Sequence, residues 1–184
     1  MTLPNLLSIL RLTLAPVLLL LAWAGLSATF IGVLIVAFLL DLIDGPIARK
    51  FNQVSALGPK LDSYADFSIY LCFLIGACLL WPGIVRRELP FIVITGASIV
   101  LPAVFGLIKF RRATSYHTWL VKCAAMVMAP SAVLLFINGP AWPFRTAAVI
   151  SAVAALEEIV ITFMLHAPRS DVGSLVHILR DRKH

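Results

Sequence analysis

Charge is scarce in this sequence, because Asp, Glu, Lys and Arg together make up only 13% of the 184 residues. That is about half of the roughly 25% found in average soluble proteins. Hydrophobic residues reach 61%, and the mean hydropathy is +0.99. A soluble domain of this length cannot bury so much apolar surface, which excludes a globular protein in water. The composition predicts an integral membrane protein.

Acidic residues are the scarcer charges, with nine Asp and Glu against fifteen Lys and Arg and a net charge of +6. A basic chain can bind nucleic acid, but in a membrane protein such an excess serves orientation and contact with anionic lipids. We therefore expect membrane lipids, and no nucleic acid, among the partners. Cysteine is rare too. The three cysteines, Cys72, Cys78 and Cys123, lie in or beside apolar runs, lack the spacing of a metal site and are interpreted as buried free thiols.

Long apolar runs dominate what is present. Six stretches of about 20 residues are long enough to cross a bilayer as helices. They cover residues 6–24, 28–51, 60–81, 90–110, 118–137 and 143–166, and Pro-Gly at 82–83 and Gly-Pro at 139–140 mark breaks between them. The sequence predicts an all-α integral membrane fold, a six-helix transmembrane bundle that forms a single domain over residues 1–184.

The distribution of Lys and Arg predicts the orientation. With the N-terminus in the cytoplasm, all of the fifteen basic residues except Arg86, Arg87 and Arg145 lie at or near the inner face. Cytoplasmic loops carry such an excess. We therefore predict that both termini are cytoplasmic, as is the loop between the second and third helices.

Four of the six aspartates fall within 26 residues, at the helix ends that flank this loop. Asp41 and Asp44 are three residues apart, and Asp62 and Asp66 are four apart, so each pair lies on one helical face. Carboxylates inside a membrane are costly unless they are paired, bound to metal or open to water. The two helices are consecutive, so we expect them to be antiparallel neighbours whose carboxylates converge.

Four converging carboxylates require cations. Carboxylate oxygens suit hard ions such as Mg²⁺, Mn²⁺ or Ca²⁺, and two such ions can clamp a pyrophosphate during a displacement reaction. A divalent-cation transporter is the alternative from another functional class, since an acidic cluster also suits an ion pathway. The transporter does not require the small residues Gly45, Ala48 and Gly58 around the acids.

Those small residues belong to a longer pattern, which reads Asp41-x2-Asp44-Gly45-x2-Ala48-Arg49-x8-Gly58-x3-Asp62-x3-Asp66. It resembles the full signature of the CDP-alcohol phosphotransferase family (class I), with eight positions matched at their spacings. The opening segment Pro4-Asn5-x2-Ser8-x2-Arg11 is similar to the start of many members. Arg11 itself is interpreted equally well as a positive-inside anchor and as a site residue.

The resemblance implies a divalent-metal-dependent enzyme that moves a phosphatidyl group from CDP-diacylglycerol to the hydroxyl of a polar alcohol and releases CMP. It implies that Asp41, Asp44 and Asp62 hold two ions, Mg²⁺ or Mn²⁺, and that Asp66 is a further ligand and the general base. It further implies a CDP site, for which the residues are Asn5, Ser8, Gly45, Ala48, Arg49 and Gly58. Family members are commonly homodimers, and we expect a bacterial plasma-membrane enzyme whose site faces the cytoplasm.

The acceptor alcohol is less constrained. A basic group near the fourth and fifth helices favours a phosphorylated polyol, such as glycerol 3-phosphate or inositol phosphate, and its members are Lys109, Arg111, Arg112, His117 and Lys122. Ser63 after the third aspartate instead resembles phosphatidylserine synthases. A choline- or ethanolamine-type phosphotransferase, with diacylglycerol as the acceptor, is a further alternative.

Overall fold

The structure, a computed structural model, describes the backbone of residues 3–50, 58–111 and 118–165, and the side chains in these ranges apart from 3–4, 44–50 and 59–60. These ranges form six α-helices. They are α1 (Leu3–Trp23), α2 (Ser27–Lys50), α3 (Gly58–Leu80), α4 (Pro82–Phe110), α5 (Trp119–Phe136) and α6 (Trp142–Met164). The predicted all-helical class is confirmed.

Five of the helices, all except α2, are long and apolar enough to cross a membrane. In α2, the apolar part with described side chains, Ser27–Ile43, is shorter than a full span. The helices expose many large apolar side chains, such as Leu20, Leu79 and Ile108. A surface of this kind is stable in lipid and not in water. The chain is therefore an integral membrane protein.

The start of the fourth helix was predicted wrongly. Pro-Gly at 82–83 indicated a loop that ends at Pro90, but α4 begins at Pro82, with only one residue between it and the end of α3. Proline suits the first position of a helix because its φ is already helical and the N–H that it lacks would have no partner there. Arg86 and Arg87 consequently lie on α4 itself.

The helices group into two compact units, Met1–Val85 and Arg86–His184. In the first unit, α1 packs along both α2 and α3, while the described parts of α2 and α3 touch each other less. The two aspartate-bearing helices were expected to be direct neighbours. They do touch, but α1 packs against both of them more extensively and joins them. Buried apolar residues such as Leu18, Leu34 and Ile69 form this contact.

Gly76 allows α3 to approach the buried ring of Phe30, which also contacts Trp81 edge-on with centroids 5.9 Å apart. A Cβ at position 76 would overlap this ring, coming within 2.6 Å of its Cζ. We expect Gly76→Ala to lower the free energy of unfolding by about 1–3 kcal/mol, as overpacking does.

Thermal unfolding in detergent micelles measures this effect, and Gly32→Ala is the matched control. Nothing lies within 4 Å of a Cβ added at Gly32, so there the better helix propensity of alanine makes the change neutral or stabilising by up to about 1 kcal/mol. A Gly76→Ala protein as stable as the Gly32→Ala protein would show that the glycine is not needed for packing.

In the second unit, α5 and α6 pack through small residues, among them Ala124, Ala132, Ala147 and Ala148, all buried. Small side chains let two helices approach closely in a membrane, where dispersion contacts and not water exclusion hold them together. All three cysteines are free thiols, as predicted, but the prediction that they are buried is correct only for Cys72. Cys78 and Cys123 are exposed, as a thiol that behaves as a small apolar side chain can be on a helix in lipid.

An ion pair with a buried carboxylate joins α4 to α6 within the same unit. The Glu88 side chain is fully buried, and Arg145 donates from Nε to its Oε2 and from Nη2 to its Oε1, each at 2.9 Å. Arg87 adds a third bond, from Nε to Oε1 at 2.9 Å. A buried carboxylate needs such pairing, so this cluster has a structural role.

Candidate active site

Arg11 brings the aspartates together. It lies eight residues into α1, Asp66 lies eight residues into α3, and Asp41 lies nine residues before the end of α2. At 1.5 Å per residue, each position is about 12–14 Å from its helix end. Since α1 packs against both other helices, the three side chains meet at one level of the unit.

The guanidinium of Arg11 bridges three carboxylates. Its Nη1 lies 2.9 Å from Oδ1 of Asp41 and 2.9 Å from Oδ1 of Asp62, and its Nη2 pairs with Oδ1 of Asp66. A planar guanidinium with five N–H groups can make several such contacts at once, whereas a lysine ammonium has a single charged atom. Arg11 therefore sets the positions of acids that come from two helices.

The carboxylates remain accessible although the arginine does not. The Arg11 side chain is 3% exposed, while those of Asp41, Asp62 and Asp66 are 37–43% exposed. One oxygen from each aspartate lies within 4.8 Å of the others. Three carboxylates against one guanidinium leave an excess of negative charge inside a membrane protein. A hard divalent cation, which prefers oxygen ligands, fits this donor set and this charge.

The predicted CDP-site residues are covered only in part. Ser8 is buried one turn before Arg11 on α1, Asn5 lies one turn further towards the helix start, and Gly58 is the first residue of α3. These three positions lie between the level of the aspartates and the helix starts, and Gly58 is about 12 Å from Asp66 along α3. The side chains of Asp44, Gly45, Ala48 and Arg49 lie outside the described residues.

The basic group predicted to bind the acceptor belongs to the second unit. Lys109 donates from Nζ to the carbonyl oxygens of Thr162 and Phe163, at 3.0 and 2.9 Å, and so caps the last turn of α6. Arg111 is exposed, and Lys122 is exposed with its Nζ 5.4 Å from the centroid of the Trp119 ring. Arg112 and His117 lie outside the described residues. The acceptor role of this group stays a prediction.

The sequence patterns did not by themselves indicate a site role for Arg11. Its position near the start of an apolar run is equally typical of a positive-inside anchor, which would place it at the membrane surface. The one signal that favoured a site role was the similarity of its segment to the opening of family members. The side chain is buried among three carboxylates, which favours a site role.

Residues 1–164 match the sequence profile of the CDP-alcohol phosphatidyltransferase family. The chain belongs to this family. CDP-alcohol phosphatidyltransferases are therefore the proteins with which the aspartate cluster is to be compared. No solved structure matches the chain.

Curated relatives of this CDP-alcohol phosphatidyltransferase include cardiolipin synthases and a glycerol-3-phosphate 3-phosphatidyltransferase. A CMP-forming cardiolipin synthase of Streptomyces coelicolor is 31% identical over 159 residues, which is 81% of this chain and 72% of the relative. A cardiolipin synthase of Rattus norvegicus is 39% identical over 114 residues, 60% of this chain but only 36% of the relative. A CDP-diacylglycerol–glycerol-3-phosphate 3-phosphatidyltransferase of Pseudomonas fluorescens is 31% identical over 154 residues, 78% of this chain and 76% of the relative.

Proposed function

We propose that the protein transfers the phosphatidyl group of CDP-diacylglycerol to the hydroxyl of a polar alcohol and releases CMP. The observation that carries the proposal is the cluster of Asp41, Asp62 and Asp66 around Arg11, in a chain of the CDP-alcohol phosphatidyltransferase family. The match over residues 1–164 supports a single catalytic membrane domain. A cation pathway does not account for this family membership.

The metal proposal is that Asp41, Asp44, Asp62 and Asp66 hold two divalent cations, Mg²⁺ or Mn²⁺. The close approach of three carboxylate oxygens and the surplus of negative charge support it. When bound, such ions supply neutralisation of charge that develops on the pyrophosphate oxygens. Binding of the donor's CDP head is assigned to nearby groups, namely Asn5, Ser8, Gly45, Ala48, Arg49 and Gly58.

The proposed reaction is a displacement at the phosphorus of the phosphatidyl group. The acceptor oxygen attacks the phosphorus of the phosphatidyl group, the bond from that phosphorus to the oxygen of CMP breaks, and the proton of the hydroxyl passes to the Asp66 carboxylate. Asp66 suits this task because it is partly exposed and its Oδ1 is held by Arg11. Arg11 fixes the direction of the carboxylate and stays buried, so it orients the base without blocking it.

The acceptor that we propose is a glycerol phosphate unit with a free hydroxyl. The P. fluorescens relative is named for transfer to glycerol 3-phosphate. Cardiolipin contains two phosphatidyl groups on one glycerol, so a synthase that forms CMP requires an acceptor that already carries one of them, which is phosphatidylglycerol. Both acceptors are phosphorylated polyols, the class that the basic group of Lys109, Arg111, Arg112, His117 and Lys122 favours.

We further propose six membrane spans with both termini in the cytoplasm, in a bacterial plasma membrane, with the site on the cytoplasmic side. The even number of helices and the excess of Lys and Arg near one face support this orientation. A homodimer is the proposed assembly, because the resemblance to family members favours it. Labelling of single introduced cysteines from either side of sealed vesicles tests the orientation.

The experiment on function uses the full chain in detergent micelles with CDP-diacylglycerol and a panel of alcohols. We expect CMP release with glycerol 3-phosphate or phosphatidylglycerol, product lipids of the matching mass, and loss of both on addition of a chelator. Restoration by Mg²⁺ or Mn²⁺ distinguishes metal dependence from damage by the chelator. A folded protein that releases no CMP with any acceptor would contradict the proposal.

A further inference from the structure

Tyr70 continues the stripe of site residues along α3. Asp62, Asp66 and Tyr70 are spaced by four residues, so they lie one above another on the same helical face. The ring of Tyr70 contacts that of Phe38, with centroids 6.3 Å apart, and Phe38 is three residues before Asp41 on α2. Tyr70 and Phe38 thus form the layer next to the carboxylates. That layer lies on the side away from the helix ends that bear the site.

The hydroxyl of Tyr70 is polar and lies deep in the helix. Tyr70 is twelve residues into α3, about 18 Å along its axis, and the residue is 51% exposed. The hydroxyl makes no hydrogen bond within the described part of the chain. A phenol at membrane depth needs a hydrogen-bond partner, since lipid tails offer none.

The donor places a suitable acceptor at this depth. With its pyrophosphate at the aspartates, the glycerol and the two ester carbonyls come next, and the acyl chains continue into the bilayer. Tyr70 lies four residues, about 6 Å, beyond Asp66 along the helix, and the carbonyls follow the phosphate by a comparable distance. The order of groups in the donor therefore matches the order of residues on α3.

We propose that the Tyr70 hydroxyl donates a hydrogen bond to an ester carbonyl of CDP-diacylglycerol, which makes Tyr70 a residue that selects ester-linked donors. The inference rests on the proposed function and adds to it a determinant of donor specificity. Phe38 contacts the tyrosine ring from α2.

The test compares two donors of equal chain length, CDP-diacylglycerol and its diether analogue CDP-dialkylglycerol, which lacks the carbonyls. Tyr70→Phe keeps the ring and its contact with Phe38 and removes only the hydroxyl. We expect its kcat/KM to fall about two- to tenfold with the ester donor, the effect of one neutral hydrogen bond, and to be unchanged with the ether donor. Wild-type protein should prefer the ester donor by a similar factor.

Tyr64→Phe is the matched control. Tyr64 is on the same helix and is 66% exposed, but it lies about 200° around the axis from Asp66. Removal of its hydroxyl should therefore leave kcat/KM unchanged with both donors. Equal losses of Tyr70→Phe with both donors, or no loss with either, would overturn the inference. Failure of the proposed function is distinguishable, because then the wild-type protein would release no CMP from the ester donor.

Discussion

Asp66→Asn is expected to lower the rate of CMP release at least about 100-fold, the usual contribution of a general base. Asparagine keeps the shape of the side chain but cannot take a proton from the acceptor hydroxyl. The fold should persist, because Asp41 and Asp62 still pair with Arg11. CMP release from CDP-diacylglycerol at saturating metal and acceptor is the measurement.

Measurement of CDP binding distinguishes the role of general base from the roles of metal ligand and structural residue. Asp66 is proposed both as a ligand and as the base, so Asp66→Asn should weaken metal-dependent binding of CDP no more than Asp41→Asn does, while its loss of turnover at saturating metal should be larger. Thermal unfolding in the same micelles checks that both variants are folded. Near-normal turnover by the Asp66→Asn protein would show that another group accepts the proton.

Arg11→Ala is expected to have the largest effect on stability, a loss of about 3–5 kcal/mol in the free energy of unfolding, as when one partner of a buried ion pair is removed. Without the guanidinium, three carboxylates that meet within 4.8 Å would repel one another. Thermal unfolding in micelles measures the loss, and added Mg²⁺ should recover part of it by neutralising the same oxygens.

Two further variants sharpen this prediction. Arg11→Lys keeps the charge but not the planar guanidinium, so its free energy of unfolding should lie between those of Arg11→Ala and the wild type. Arg86→Ala removes an exposed arginine from α4 and should change stability by less than about 0.5 kcal/mol. An Arg11→Ala protein that unfolds like Arg86→Ala would refute the central role of Arg11.

The aspartate cluster could be predicted from the sequence because its determinants are local. Spacings of three and four residues place each pair on one helical face wherever the helix lies. The apolar runs likewise predicted helices whose ends agree with the structure to within a few residues, except at the start of α4. There the ambiguity of proline, which both breaks and begins helices, could not be resolved by pattern alone.

The contacts between distant residues could not be predicted in the same way. Arg11 is 51 residues from Asp62, and Arg145 is 57 residues from Glu88. A single sequence shows which residues carry charge, but the pairing of opposite charges depends on which helices pack together.

The burial of Arg11 also bears on how the protein is made. Asp66, its most distant carboxylate partner, follows 55 residues later in the chain. At translation rates of about 5–20 residues per second, α1 waits about 3–11 s for the whole set of partners. Until Asp41 follows, 30 residues after Arg11, α1 holds an unneutralised guanidinium near its middle, which costs about 2.5–3.5 kcal/mol on insertion scales. The inserted state of α1 is therefore less stable until α2 and α3 have been synthesised.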